Sequence, residues 1–172
     1  MTRVPVRPAA HAAGPIRAPR SAHVFDEGRR DPYEARRKFA EPTVCDGCGA
    51  VYHRGHWQWS EIPEGAAKVS CPACTRAAER QPAGYLILSG PYVEAHRDEL
   101  MRVVRNEEAA EKGEHPLHRI MGIEDAPQEV VVTTTDVHLP RRIGEALRKA
   151  HHGKLELSYG DGEYVLRARW HG

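Results

Sequence analysis

No apolar run in the chain approaches the roughly 18 to 20 residues that a membrane-crossing helix needs, so no spanning segment is expected. The beginning also lacks the continuous apolar core of a secretory signal, because Arg3, Arg7, Arg17 and Arg20 alternate there with proline and alanine. Export is not expected, and the expected location is cytoplasmic. The first acid is Asp26, and an acid-free, arginine-rich leader is also a feature of organellar transit peptides. The prolines oppose the amphipathic helix that such peptides form. Several catalytic patterns are missing too: a glycine-rich phosphate loop followed by Lys and Ser or Thr, HExxH, and G-x-S-x-G. Nucleotide hydrolysis therefore has no visible apparatus. A Cys-Pro-Ala-Cys turn is half of a nucleobase-deaminase pattern, but no H-x-E precedes it to supply the third ligand and the acid/base.

What is present is uneven along the chain. Residues 1–40 hold nine Lys or Arg against four acids, whereas the remainder is net negative, and the whole comes to +1. Large aliphatic side chains are nearly absent from this stretch, so it cannot bury enough apolar surface to offset the entropy of ordering. A disordered basic tail over 1–40 is expected, with a short helix possible around Asp31 to Phe39 because Pro32 suits a first turn. Residues 41–81 contain all four cysteines and are punctuated by Gly47, Gly49, Gly55, Pro63, Gly65 and Pro72, a turn-dense, hairpin-like pattern.

From residue 82 to 172 the pattern is regular. Tyr85 to Leu88 is a short apolar run ended by Ser89, Gly90 and Pro91, which reads as a buried strand. Val93, Leu100, Val103 and Val104 then recur at helical spacing from Tyr92 to about Lys112. Arg119 to Ile123 and Val130 to Thr135 bracket a turn over Glu124 to Gln128 and form a hairpin. Asp136 is a good N-cap for a second helix, whose apolar stripe is Leu139, Ile143, Ala146, Leu147 and Ala150. A closing hairpin pairs Lys154 to Tyr159 with Glu163 to Trp170. This order, with one strand added, predicts an α+β fold: a ferredoxin-like (split βαβ) antiparallel sheet with two helices on one face.

Two residues separate Cys45 from Cys48 and Cys71 from Cys74, with 22 residues between the pairs. Two such turns meeting head to head supply a closed set of four thiolates, the pattern of a treble-turn zinc ribbon holding one structural Zn2+. Disulfides would need an oxidising compartment, for which no signal is present, and a redox pair would explain only one of the two turns. Thiolates serve an iron-sulfur cluster equally well; the ribbon-like spacing favours zinc. His53 and His56 lie nearby, but four thiolates already complete the ligand count.

Other residues suggest surfaces rather than chemistry. Trp57 and Trp59 share a strand face, which would make a stacking platform for bases or, with greater weight, a buried anchor for the small ribbon. Arg141, Arg142, Arg148 and Lys149, with His138 and His152, give the second helix a basic side suited to a phosphate backbone or simply to solvent. The strands lack the aromatic pair of an RNA-recognition motif. Asp136, His138, His115 and His118 would be the residues of an acid/base or metal group, although capping and surface roles explain them as well.

The run VCDGCGAVYHRGHWQW from Val44 to Trp59, the turn CPAC, Gly84-Tyr85 opening a strand, and TTTDVHLPRRIGEAL from Thr133 to Leu147 carry a resemblance. Over roughly residues 42 to 170 the chain resembles an uncharacterised bacterial group of zinc-ribbon proteins. That group is itself similar to the N-terminal part of the NMD-type large-ribosomal-subunit export adaptors. Pro140 departs from the small residue expected at its position, a change tolerable in a first helical turn. The resemblance implies a non-enzymatic adaptor that docks on a ribosomal subunit through metal-bearing and basic surfaces. It matches Cys45, Cys48, Cys71 and Cys74 to metal ligands and Arg142 to the motif. The expected partners are ribosomal RNA or a ribosomal subunit, with another protein as the alternative in an interaction or transcription-regulatory module. No membrane and no small-molecule substrate are expected. An enzyme using the histidines is the third class.

Overall fold

Two sheets organise the chain in the computed structural model, which describes residues 31–35, 38–160 and 162–172. The first contains the strands β1 (Thr43–Cys45), β2 (Val51–His53), β3 (His56–Gln58) and β4 (Ala67–Val69), in the order β3-β2-β1-β4. Strand β4 runs parallel to β1, and the other pairs are antiparallel. Between β2 and β3 the chain reverses through Arg54 (φ 54°) and Gly55 (φ 81°), two left-handed residues whose twist matches that of the flanking strands. Both amides donate to the carboxylate of Glu41, at 2.8 and 3.0 Å, which fixes the turn.

A helix α2 (Pro72–Ala78) follows β4. It corrects the expectation of turns and hairpins alone for the cysteine segment. Seven residues are too few for a helical period to emerge from a glycine- and proline-rich stretch, and the helix is set by its start. Pro72 occupies the first turn, and the Cys71 sulfur accepts the Cys74 amide. The short helix α1 (Pro32–Ala35) precedes the sheet. Arg76 of α2 is buried, donates to Asp31 at 2.6 Å and lies 4.1 Å over the Tyr33 ring. Phe39 packs edge-on against Trp57 at 5.1 Å. These contacts pack Asp31, Tyr33 and Phe39, which the sequence placed within the tail, against the cysteine unit. The rest of that tail, residues 1–30, lies outside the described residues.

The second sheet contains β5 (Gly84–Ser89), β6 (Ile120–Ala126), β7 (Glu129–Thr134), β8 (Lys154–Tyr159) and β9 (Leu166–His171), in the order β6-β7-β5-β9-β8. Helix α3 (Pro91–Glu114) connects β5 to β6, and α4 (His138–His151) connects β7 to β8. Alternation sends Leu86, Leu88, Val130, Val132, Ala168 and Trp170 to one face. There they meet Leu100 and Val104 of α3 and Leu139, Ile143 and Leu147 of α4 in a single core. Close packing at the start of α4 demands glycine at position 84, where a Cβ would lie 2.3 Å from Thr134 Oγ1 and 2.5 Å from the Asp136 carbonyl oxygen.

The wholly antiparallel sheet expected from the element order is corrected at one boundary. The final hairpin inserts β9, not β8, beside β5, and those two strands run parallel from Gly84–Leu166 to Ser89–His171. The reason lies in the pattern of β9. Its Leu166, Ala168 and Trp170 are fully buried side chains that fit the sheet interior, whereas β8 has no buried residue and suits an edge. Strand β6 also runs on to Ala126, leaving only Pro127 and the left-handed Gln128 (φ 63°) to turn the chain.

Candidate metal centre

The cysteines of β1 and α2 lie beside Arg119, the residue that precedes β6. Cys45 ends β1, and the tight turn after it, closed by the Gly49 amide on the Cys45 carbonyl at 2.9 Å, brings Cys48 back toward Cys45. Cys71 caps α2 and Cys74 sits in its first turn. The four sulfurs lie within 4.8 Å of one another, with Cys48 and Cys71 Sγ 3.8 Å apart. A tetrahedron of metal–sulfur bonds of about 2.3 Å has edges of about 3.8 Å, so the donor set fits a single four-coordinate metal. All four cysteines are free, and a separation of this size is far from a disulfide bond of about 2.05 Å.

Donors surround the sulfurs. The Cys71 amide points at Cys45 Sγ (3.2 Å) and the Cys74 amide at Cys71 Sγ (3.4 Å). Across the sheet junction, Arg119 Nη2 reaches Cys74 Sγ at 3.3 Å and Cys71 Sγ at 3.6 Å. Burial opposes the Arg119 charge, but its hydrogen bond to Cys74 and the neighbouring sulfurs outweigh burial and hold the guanidinium charged. The contact with Cys71 draws the Cys48 thiol down to about 5, while the same contact and burial push Cys71 up. A Cβ at Gly47 would sit 3.1 Å from Cys74 Sγ, so a small residue is needed in the first turn. A metal held by these four sulfurs is coordinatively saturated: it fastens β1, its turn and α2 together and leaves no position for a substrate.

The neighbouring histidines stay outside this set. His53 Nδ1 lies 3.8 Å from Glu41, and His56 Nδ1 lies 3.2 Å from the Arg54 carbonyl. The two tryptophans are separated in role. Trp57 is buried among Phe39 and Tyr52, which removes it as an open stacking surface. Trp59 is 40% exposed, and its indole N–H donates to the Lys112 carbonyl at 2.6 Å, joining the first sheet to the end of α3.

On α4 the basic residues are also unlike one another. Arg141 pairs with Glu145 at 3.0 Å, and Arg142 bridges Glu107 at 3.0 Å and Glu111 at 2.5 Å. The side of α4 that carries Arg142 is thus neutralised by α3. Arg148 and Lys149 are exposed and make no ion pair among the described residues. Asp136 caps α4 through Oδ2, which accepts the amides of His138 (2.6 Å) and Leu139 (3.0 Å). Glu111 receives His118 Nδ1 at 2.8 Å. Burial would raise the Glu111 carboxyl, but the His118 hydrogen bond and the charges of His118, Arg142 and His115 prevail and lower it. Neither Arg119 nor Glu111 stands out in the sequence, since each acquires its role only when α3 and the following strand are folded against the cysteine unit.

Fold and site together define a two-sheet α+β chain with a cluster of four cysteines placed to hold a metal. No family model matches the sequence, and neither a curated protein nor a solved structure matches it. Among the described residues no helix is long and apolar enough to cross a membrane.

Proposed function

We propose that the chain is a non-enzymatic binding module stapled by one structural zinc ion and engaging RNA, with a ribosomal particle as the partner. The observation that carries the reading is the closed set of four sulfurs, which completes a tetrahedral site without water or substrate. In this reading the first unit is a zinc ribbon and the second a split βαβ sheet extended by a hairpin. Contact with phosphate falls to the unpaired Arg148 and Lys149 near the end of α4, reinforced by the arginine-rich residues 1–40. Arg141 and Arg142, held by glutamates, contribute less.

A gradient tests this directly. Tagged protein from lysate should co-sediment with ribosomal particles at low salt and leave them after nuclease treatment or at high salt; protein found only at the top of the gradient excludes the reading. A second reading, a protein-interaction module, draws on the sheet face opposite the helices. That face presents Tyr85, half-buried under Arg167 at 5.4 Å, and Val131. A pull-down that is insensitive to nuclease favours it.

A further inference from the structure

An open sheet ends in two strands whose outer backbone groups face no neighbouring strand, and such an edge is a template for further pairing. The five-stranded sheet ends in β6 and β8. Its two edges differ in kind. Strand β6 carries a register shift between Ile120 and Gly122, its Ile120 amide donates to Glu108 Oε1 at 2.7 Å, and the exposed Glu124 and Asp125 lie along it. Bulges, covering side chains and charge are the usual means of keeping an edge from pairing. Strand β8 instead pairs with β9 from Lys154–His171 to Tyr159–Leu166 without a register shift. Its charged Lys154 and Glu156 pair with each other at 2.6 Å, and Leu157 is 37% exposed. The edge strands of the smaller sheet, β3 and β4, have three residues each and offer no comparable ladder.

The direction of the outer backbone groups of β8 follows from its hairpin. The Gly160 amide donates to the Val165 carbonyl at 2.9 Å, so these two residues form a directly bonded pair of the antiparallel ladder. Bonded pairs alternate along such a ladder, which turns the backbone of Lys154, Glu156 and Ser158 toward β9 and that of Leu155 and Leu157 away from the sheet. The Leu166 amide, which donates to Ala83 before β5, fits the same alternation. The side chains of Leu155 and Leu157 share the face that carries the helices, where Leu155 packs on the core and Leu157 stands at the rim.

The sequence of β8 is complementary to itself. An antiparallel second copy related by a two-fold axis must set outward-facing residues opposite outward-facing residues. Two registers of this kind overlap most of the strand, over residues 154–158 or 155–159. The first centres on Glu156 and sets two like charges directly opposite each other, which is destabilising. The second centres on Leu157. There the two Leu157 side chains meet at the axis, Leu155 lies opposite Tyr159 of the second copy, and Glu156 lies opposite Ser158 of the second copy. No like charges face each other, and the apolar row continues from one chain into the next.

We propose that β8 is a dimerisation edge, through which two copies of this chain pair antiparallel about an axis at Leu157 and join their five-stranded sheets into one. Pairing confined to one short strand belongs with small, transient interfaces, so the dimer dissociates on dilution. Its formation is independent of RNA binding.

Sedimentation equilibrium of full-length, metal-loaded, nuclease-treated protein between about 10 µM and about 1 mM tests the dimer, and the mass should rise from one chain toward two. Leu157→Lys replaces a leucine pair at the axis by two like charges and should weaken association by about tenfold or more, whereas Leu157→Ile should retain it. Amide exchange of the wild type locates the contact without any variant. The Leu155 and Leu157 amides should exchange more slowly at high concentration than at low, while those of Glu156 and Ser158, turned toward β9, should be protected at both. The same two amides report whether Leu157→Lys is folded. A single-chain mass over the whole range overturns the proposal and leaves the edge to a strand of another protein. A dimer of equal affinity in folded Leu157→Lys, or one that forms without added protection at Leu155 and Leu157, also overturns it.

Discussion

The four-stranded sheet has strands of three residues and a core of five buried side chains, two of which are cysteines. The five-stranded sheet has strands of six or seven residues and a core of twelve, including Trp170, Leu86 and Leu100. A unit as small as the first cannot offset its conformational entropy by apolar burial, so it needs a covalent or metal staple. The second has the two-layer packing of an ordinary small domain and needs none. One chain thus combines a region with four cysteines placed to hold a metal and little apolar core with one built on packing, and Arg119, Trp59 and Leu117 link them.

Stripping the metal should separate the two regions most strongly. Metal coordination contributes on the order of 10 kcal/mol to such units, so chelation or Cys71→Ser should abolish amide-exchange protection in β1 to β4. Protection in β5, β7 and β9 should remain; simultaneous loss in both sheets would break the comparison. The reverse experiment is Leu100→Ala, which should cost about 2–5 kcal/mol in denaturant unfolding of the second region, with metal content per chain unchanged.

Glu111 sharpens the link between α3, α4 and the junction. Its folded-state pKa lies below the usual 4.5, so its contribution is present above that value and is lost as pH falls through the folded pKa. Glu111→Gln should cost about 1.5–3 kcal/mol at pH 6, and the difference from wild type should shrink as the pH falls below the usual carboxylate range in equilibrium unfolding. Arg119→Met removes the donor to Cys71 and Cys74 without touching a ligand. Competition with a chelator should show metal affinity reduced by about 10- to 100-fold, with the unfolding of the second sheet little altered.

The residues differ in how plainly their roles could be read from the sequence. The cysteine pairs state their geometry locally, since two intervening residues fix a turn that aims both sulfurs one way. Strands β5, β7 and β8 and both long helices likewise follow from periodicity and from the cap at Asp136. The order of β8 and β9 was not legible, because either strand of a hairpin can pair with β5 and only the burial of Leu166, Ala168 and Trp170 decides. Helix α2 was hidden by its shortness. The neutralisation of Arg142 depends on Glu107 and Glu111, 35 and 31 residues away, and no local pattern records that contact. The pocket lined by Asp31, Pro72, His118, Asp136 and Tyr164 is assembled from five separate segments, although the sequence already singled out Asp136, His118 and His138 as chemically capable.

X-ray absorption on the purified full-length protein, combined with metal analysis, tests the central claim most directly. The account predicts one zinc per chain bound by four sulfurs at about 2.3 Å with no lighter ligand. A nitrogen or oxygen ligand in the first coordination sphere, or metal-free protein whose first sheet remains folded, would contradict it.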